Sequence, residues 1–182
     1  MGSNPASPAR KSNDMGHHEH KKHAEKVIAR VAVITVSDTR TTENDTSGGH
    51  ILDAVKSAGH LVSSYRIIKD EPAQISAVLR EMAVSGVTDA VIINGGTGIS
   101  TRDSTFDAVD VLLEKKLPGF GEIFRALSYR EIGSAAMMSR ATAGLIGKMI
   151  VFSMPGSEAA VKLAIKELII PELSHAIWEV NR

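Results

Sequence analysis

The chain contains no cysteine, few aromatic residues and no excess of charge of either sign. The lack of cysteine excludes disulfides, thiolate zinc sites and a cysteine nucleophile, and it agrees with the cytoplasmic location that we predict. Aromatic residues make up 4% of the chain, and Lys+Arg equal Asp+Glu at 21 each. This composition provides neither a basic field nor a stacking surface, so we expect no nucleic-acid partner. No apolar run approaches the roughly 18 residues that span a bilayer, so we expect no membrane partner.

The N-terminal segment differs in composition from the rest of the chain. It is rich in Ser, Asn, Pro, Lys and His and has almost no large apolar side chains. Such a segment cannot bury enough surface to offset the entropy lost on ordering. We therefore predict a disordered polar tail at residues 1–26 and a single domain at residues 27–182. Four tail histidines could bind a transition metal, or they are simply solvated side chains: His17, His18, His20 and His23.

From Arg30 onward, apolar runs of strand length alternate with stretches of helical periodicity. The apolar runs are rich in β-branched residues, as is typical of parallel strands buried on both faces. We predict strands at 30–36, 61–68, 90–94, 143–146 and 149–154. The intervening stretches carry helix caps, such as Asp45 before the first helix and Gly59 after it. Repeated strand–helix–strand units of this kind predict a three-layer α/β/α sandwich with a mostly parallel sheet.

Several helix boundaries are predicted from capping and helix-breaking residues. Asp70 is expected to cap the second helix, which has Pro72 in its first turn. Pro118 and Gly119 are expected to break the chain after the helix that contains Phe106, and a short helix is predicted at 121–129. Pro171 is expected to separate two final helices, at 157–168 and 172–180.

Ligand-binding residues are expected at the carboxyl ends of the predicted strands. In open parallel sheets, ligands bind at this edge, near the point where the strand order reverses. Four loops lie there in this chain, and they begin at Ser37, Asp70, Gly95 and Pro155.

The loop Gly95-Gly96-Thr97-Gly98 is the most informative of the four. Glycines let the backbone adopt positive φ angles and approach a ligand closely, and amide groups ahead of a helix N-terminus attract anions. The loop fits neither the Walker pattern nor G-x-G-x-x-G. Two interpretations are open at this point: an anion site, or only a tight strand-to-helix turn.

Carboxylates flank this loop in the predicted fold. Asp103 would repel a bound phosphate unless a divalent cation such as Mg²⁺ bridged the two groups, and the alternative is that Asp103 caps the next helix. Asp70 is open to the same two interpretations.

Pro155-Gly156-Ser157 forms another strand-to-helix turn with a capping serine. Its residues could line the ligand site, or they could serve only to turn the chain. Glu122 and Arg125 could form an exposed ion pair.

Six motifs in this order together resemble the MoaB/MogA family. They are VITVSDTR (33–40), DTSG (45–48), IINGGTGISTRD (92–103), LPGFGEIFR (117–125), SRATAG (139–144) and MPGS (154–157). The resemblance covers residues 30–182, and the MPGS form and the GFGEIFR stretch look more like the MoaB branch. It implies a three-layer α/β fold that assembles into a homohexamer, with a homotrimer as the alternative.

The resemblance also implies a reaction. Active members of the family adenylylate molybdopterin with Mg-ATP and release pyrophosphate. Asp103 and Asp70 match the acidic residues of that site, as catalytic groups and as Mg²⁺ ligands. The positions that match the substrate pocket are Ser37, Gly95, Gly96, Thr97, Gly98, Glu122, Ser139, Pro155, Gly156 and Ser157. Two other functions are open: a pterin-binding or scaffolding oligomer of the same pathway without catalysis, and a nucleotide-processing enzyme.

Overall fold

A six-stranded sheet forms the middle layer of the computed structural model, which describes residues 27–101 and 103–182. The strands are β1 (Arg30–Val36), β2 (Leu61–Ile68), β3 (Ala90–Asn94), β4 (Lys115–Lys116), β5 (Thr142–Ile146) and β6 (Met149–Met154), in the spatial order β2-β1-β3-β6-β5-β4. The strands β2, β1, β3 and β6 are parallel, whereas β5 and β4 form an antiparallel edge. The predicted, mostly parallel sheet is therefore confirmed. The predicted tail at residues 1–26 lies outside the described residues.

Helices cover both faces of the sheet. They are α1 (Thr46–Ser57), α2 (Pro72–Ser85), α3 (Thr105–Leu112), α4 (Pro118–Ile132), α5 (Glu158–Ala164) and α6 (Ile170–Asn181). A 3-10 helix at Gly133–Met138 follows α4, and a π-helix at Ile165–Ile169 joins α5 to α6. None of the helices in the described part of the chain is long and apolar enough to cross a membrane.

The alternation of side chains along the strands builds two cores. In β1, Val31 and Val33 pack with residues of α1, α4, α5 and α6 on one face of the sheet. Their neighbours Ala32 and Ile34 pack with residues of α2 and α3 on the other face. Because successive strand residues point to opposite faces, a strand apolar at every position is buried on both sides. This confirms the predicted three-layer sandwich.

Three predicted helix boundaries are wrong. Asp70 does not cap α2, because the residue that directly precedes the first helical position is Glu71. Pro118 does not lie in a break between helices. It occupies the first turn of α4, where its missing N–H costs nothing, and α4 continues to Ile132, beyond the predicted 121–129. Pro171 does not separate two helices either, because the π-helix leads directly into α6. The wider π turn accommodates the proline ring and the missing backbone donor.

Candidate functional site

The strand order of the sheet reverses between β1 and β3. The chain passes from β1 to β2 on one side and then returns to β3 on the other side of β1. The loops that follow β1 and β3, at Ser37 and Gly95, therefore flank the crevice in which parallel sheets bind ligands. These loops are also held by neighbouring strands: the amide of Ser37 donates to the carbonyl of Ile68 at 2.8 Å, and that of Gly95 donates to the carbonyl of Met154 at 3.1 Å.

The glycine loop after β3 has a conformation that requires two of its glycines. Gly95 and Gly96 have φ angles of +108° and +59°, a region that residues with a Cβ rarely adopt. A Cβ on Gly96 would also lie 2.5 Å from Asp70 Oδ2. Gly98, which we expected to have a positive φ, does not have one. Its lack of a side chain serves another purpose, because a Cβ there would lie 2.5 Å from Asp103 Oδ2.

The Asp70 carboxylate binds the start of α3. Its Oδ1 accepts hydrogen bonds from the Ser104 amide at 3.2 Å, the Ser104 hydroxyl at 2.8 Å and the Thr105 hydroxyl at 3.1 Å. Its Oδ2 faces Gly96. Asp70, which follows β2, therefore contacts the loop that follows β3.

The Asp103 carboxylate turns back over the glycine loop. Its Oδ2 accepts a hydrogen bond from the Ser100 amide at 3.2 Å, and its own amide donates to the Ser100 carbonyl at 3.0 Å. The residue at the N-cap of α3 is Ser104, so the alternative that Asp103 caps this helix is wrong. The structure thus brings the two predicted carboxylates to one loop, with Asp70 at Gly96 and Asp103 at Gly98.

The hydroxyl of Thr97 lies inside the same loop. Thr97 is 2% exposed, and its Oγ1 has no hydrogen-bond partner among the described residues. Buried hydroxyls are nearly always hydrogen-bonded in native proteins. This atom therefore offers a hydrogen-bonding position within the loop that the described protein groups do not use.

The loop after β6 contacts the glycine loop directly. The Ser157 hydroxyl caps α5 by accepting a hydrogen bond from the Ala160 amide at 3.4 Å, as predicted. Gly156 packs so closely that a Cβ on it would lie 3.0 Å from the Cα of Gly95. The Ser47 hydroxyl of α1 donates to the Gly156 carbonyl at 3.0 Å. The turn chemistry of 155–157 and its place beside the glycine loop therefore coexist.

Glu122 and Ser139 line a groove of about 370 Å³ next to this loop, together with Phe106, Arg125, Met137 and Arg140. Arg125 donates to the Ser139 carbonyl at 3.5 Å. The predicted residues therefore form two adjoining regions. Asp70, Asp103 and residues 95–98 lie at the strand ends, whereas Glu122 and Ser139 lie in the groove.

Sequence reasoning missed Arg140, which connects the two regions. Its guanidinium lines the groove and donates to the carbonyl oxygens of Gly98 at 2.6 Å, Asp103 at 2.9 Å and Thr97 at 3.4 Å. It also lies 5.0 Å from the ring centroid of Phe106. The motif SRATAG contains this arginine, and that was the only signal in the sequence.

Asp45 caps α1, as predicted, but sequence reasoning did not foresee the buried hydrogen-bond network that its carboxylate forms. Asp45 is 6% exposed and accepts hydrogen bonds from the Thr35 hydroxyl at 2.5 Å, the Tyr65 hydroxyl at 2.6 Å and the Gly48 amide at 2.9 Å. Burial alone would raise the pKa of Asp45, but these hydrogen bonds outweigh burial and hold the pKa below its ordinary value. Burial and the neighbouring Asp45 in turn raise the pKa of Tyr65. Because Thr35 also accepts from Asn94 at 2.9 Å, this network joins the ends of β1 and β3.

Residues 32–175 match the model of a family described as a probable molybdopterin binding domain. The chain belongs to this family. It is 53% identical over 165 residues to molybdenum cofactor biosynthesis protein B of Bacillus subtilis, covering 90% of this chain and 96% of that protein. The homologue from Staphylococcus carnosus with the same name is 46% identical over 155 residues, covering 83% of this chain and 90% of that protein. The resemblance of the six motifs to MoaB/MogA proteins is thereby confirmed.

Two solved structures of similar sequence share the fold of the present chain. A crystal structure of molybdenum cofactor biosynthesis protein B is 49% identical, with a TM-score of 0.83, and the match covers 86% of this chain and 98% of that one. The tungsten cofactor synthesizing protein MoaB of Pyrococcus furiosus is 36% identical, with a TM-score of 0.77 and coverage of 85% and 98%.

Proposed function

We propose that this chain acts in molybdenum cofactor biosynthesis, where it binds molybdopterin and adenylylates it with Mg-ATP. The observation that carries the proposal is the placement of two carboxylates, Asp70 and Asp103, against one glycine loop at the reversal of strand order. Both carboxylates accept hydrogen bonds within the loop, and both also place negative charge beside amides that attract anions, which is the combination that a cation shared with a phosphate requires.

The reaction would join the terminal phosphate of the pterin to the α-phosphate of ATP. An oxygen of the pterin phosphate attacks the α-phosphorus, a P–O bond forms, and the bond to the β-phosphate breaks to release pyrophosphate. No covalent intermediate on the protein is needed, and none of the site residues described above is arranged as an activated nucleophile. The contribution of the chain is to hold two anionic reactants in position, with backbone amides of residues 96–98 and the Thr97 hydroxyl as donors.

The residues present suit Mg²⁺ as the cation of this site. Mg²⁺ prefers oxygen ligands, keeps several waters and is usually held by one or two carboxylates together with substrate phosphates. Asp70 and Asp103 supply such carboxylates. The described residues contain no group of three or more His, Asp or Glu side chains that could hold a metal alone, so Mg²⁺ would be held jointly with ATP. When bound, Mg²⁺ offsets the repulsion between the phosphates of the two reactants.

The test is release of pyrophosphate from Mg-ATP in the presence of molybdopterin. We expect wild-type protein to release pyrophosphate and Asp103→Asn to reduce the rate by about 100-fold or more, as removal of one electrostatic group commonly does. The side-chain amide oxygen introduced by this substitution can still accept from Ser100, so the loop should keep its conformation. Asp53→Asn, on the exposed face of α1, is the matched control and should keep the wild-type rate. If wild-type protein releases no pyrophosphate while a catalytically active homologue does, the adenylylation proposal is wrong.

A pterin-binding or scaffolding protein without catalysis is the second candidate. The observation in its favour is Ser157, which caps α5 and is followed by Glu158, a form of the last loop that resembles the MoaB branch. This candidate predicts that molybdopterin quenches or shifts the protein fluorescence on titration while ATP is not consumed.

We further propose that the chain forms a homohexamer, with a homotrimer as the alternative. The end of α4 and the following 3-10 helix carry apolar side chains that are exposed in the single chain: Ile132 is 54% exposed and Met137 is 81% exposed. Apolar side chains grouped on a surface in this way are commonly buried by a partner. Light scattering on the purified protein distinguishes the monomer from the two assemblies.

A further inference from the structure

The groups around Arg140 suggest that this residue has more than a structural task. Its side chain is 27% exposed, and each of its nitrogen atoms donates to an acceptor. Nη2 binds the carbonyls of Gly98 and Asp103, Nε binds the carbonyl of Thr97, and Nη1 binds both carboxylate oxygens of Asp107 at 3.1 and 3.0 Å. Three of these acceptors are backbone carbonyls of one loop, and all three are directed at the same guanidinium.

The planarity of the peptide bond gives this one-sided arrangement a consequence. In a trans peptide the C=O of one residue and the N–H of the next point in opposite directions. With the carbonyls of Thr97 and Gly98 directed at Arg140, the amides of Gly98 and Ile99 are directed away from it. The peptide between Asp103 and Ser104 shows the same relationship directly, because its carbonyl accepts from Arg140 while its amide donates to Asp70 at 3.2 Å.

We propose that Arg140 is a positioning residue that holds the carbonyls of Thr97, Gly98 and Asp103 and thereby directs the amides of Gly98 and Ile99 toward a bound phosphate. The proposal rests on the proposed function for the identity of the ligand. A guanidinium suits this task because it is planar, always charged and able to donate in several fixed directions. A lysine at this position would keep the charge but could not reach the same set of carbonyls.

The charge of Arg140 also makes the loop more acceptable to an anion. Carbonyl oxygens carry partial negative charge, and three of them close to a phosphate would repel it. By donating to these oxygens, the positively charged guanidinium of Arg140 offsets their partial negative charge. Stacking on Phe106 and pairing with Asp107, both in the first turn of α3, fix the guanidinium in this orientation.

The test compares Arg140→Lys with wild type in two measurements that do not depend on catalysis. The first is hydrogen exchange of the loop amides that are hydrogen-bonded in the structure, those of Ser100, Asp103, Ser104 and Thr105. The second is the dissociation constant for inorganic pyrophosphate in the presence of Mg²⁺, measured by calorimetry. We expect exchange in the loop to become about tenfold faster and pyrophosphate binding to become about tenfold weaker, because several charge-assisted hydrogen bonds are lost.

Arg30→Lys is the matched control. The Arg30 guanidinium also donates two hydrogen bonds to a carboxylate, that of Asp89, but it lies at the opposite end of the parallel strands. We expect neither measurement to change in the loop of this variant. Unchanged loop exchange in Arg140→Lys would overturn the proposal. So would faster exchange with unchanged pyrophosphate affinity, because Arg140 would then stabilise the loop without directing its amides. If wild-type protein binds pyrophosphate but releases none from ATP, adenylylation fails while the role of Arg140 is still decided.

Discussion

The Asp70 carboxylate at the end of β2 accepts hydrogen bonds from both the amide and the hydroxyl of Ser104 at the start of α3, at 3.2 and 2.8 Å. One carboxylate oxygen is therefore engaged in fixing the start of α3, while the other faces the glycine loop. This arrangement lets a single side chain both position the loop and present a charge to it.

The two tasks of Asp70 can be separated by mutation. Asp70→Asn keeps an oxygen that accepts from Ser104 but removes the charge, so we expect nearly unchanged stability and a loss of pyrophosphate release of about 100-fold. Asp70→Ala removes the acceptor as well, leaves partly buried donors unpaired, and should lower the free energy of unfolding by about 1–3 kcal/mol. Denaturant titration and the pyrophosphate assay measure the two effects. Equal loss of stability in both variants would contradict this division, and Glu71→Gln serves as the control.

Gly96 is expected to be intolerant of a side chain. Gly96→Ala places a Cβ against Thr105 and Asp70 at a φ of +59°, which should lower the free energy of unfolding by at least about 1 kcal/mol. It should also weaken binding of pyrophosphate, because the loop must move. Gly119→Ala is the matched control: nothing lies within 4 Å of its Cβ position, and alanine favours the helix by about 0.5–1 kcal/mol over glycine. Equal stability of the two variants would show that the loop can relax around a methyl group.

Much of the fold and part of the site could be predicted because their signals are local in sequence. Strands buried on both faces are continuous apolar runs, and the glycine loop follows such a run directly. The rule that ligands bind at the reversal of strand order then placed Asp70 and Asp103 on the correct edge of the sheet. Asp70 follows the end of β2 closely and Asp103 directly precedes the start of α3, so a small error in an element boundary could not have moved them far.

The remaining features depend on contacts between residues distant in sequence. Arg140 binds the carbonyl of Gly98 across 42 residues and that of Asp103 across 37, and no one-dimensional pattern shows which carbonyls a guanidinium will meet. The prediction of a helix break at Pro171 was wrong for a different reason. The rule that proline ends a helix assumes α geometry, whereas the π-helix at Ile165–Ile169 changes the hydrogen-bonding partners just ahead of it. Tertiary packing, which the local rule ignores, decides between these outcomes.

Exposed apolar residues near the C-terminal end of α4 provide a test of assembly. The double variant Ile132→Glu/Met137→Glu places two charges on this surface, and we expect its mass by light scattering to fall below that of the wild-type assembly. Burying unpaired charges in an interface costs several kcal/mol. Val84→Glu, at a position on α2 that is 88% exposed, is the control and should leave the mass unchanged. An unaltered mass in the double variant would place the interface elsewhere on the chain.

The hydrogen bond between Asp45 and Tyr65 predicts how stability depends on pH. The pKa of Asp45 is lowered from 3.8, so the stabilisation that Asp45 provides is present above that value and is lost as the pH falls through the lower pKa of the folded state. The pKa of Tyr65 is raised from 10.0, so the corresponding stabilisation is present below that value and is lost as the pH rises toward the higher pKa. Tyr65→Phe removes a donor to Asp45, and it should therefore move the acid transition to higher pH and flatten the alkaline one. It should also lower the free energy of unfolding by about 1–2 kcal/mol near neutral pH.

Denaturant titrations from about pH 3 to about pH 11 measure both the acid and the alkaline loss of stability. Tyr129→Phe, at a position that is 62% exposed, should reproduce the wild-type profile, and a Tyr65→Phe profile parallel to wild type would show that this hydrogen bond does not control the charge of Asp45.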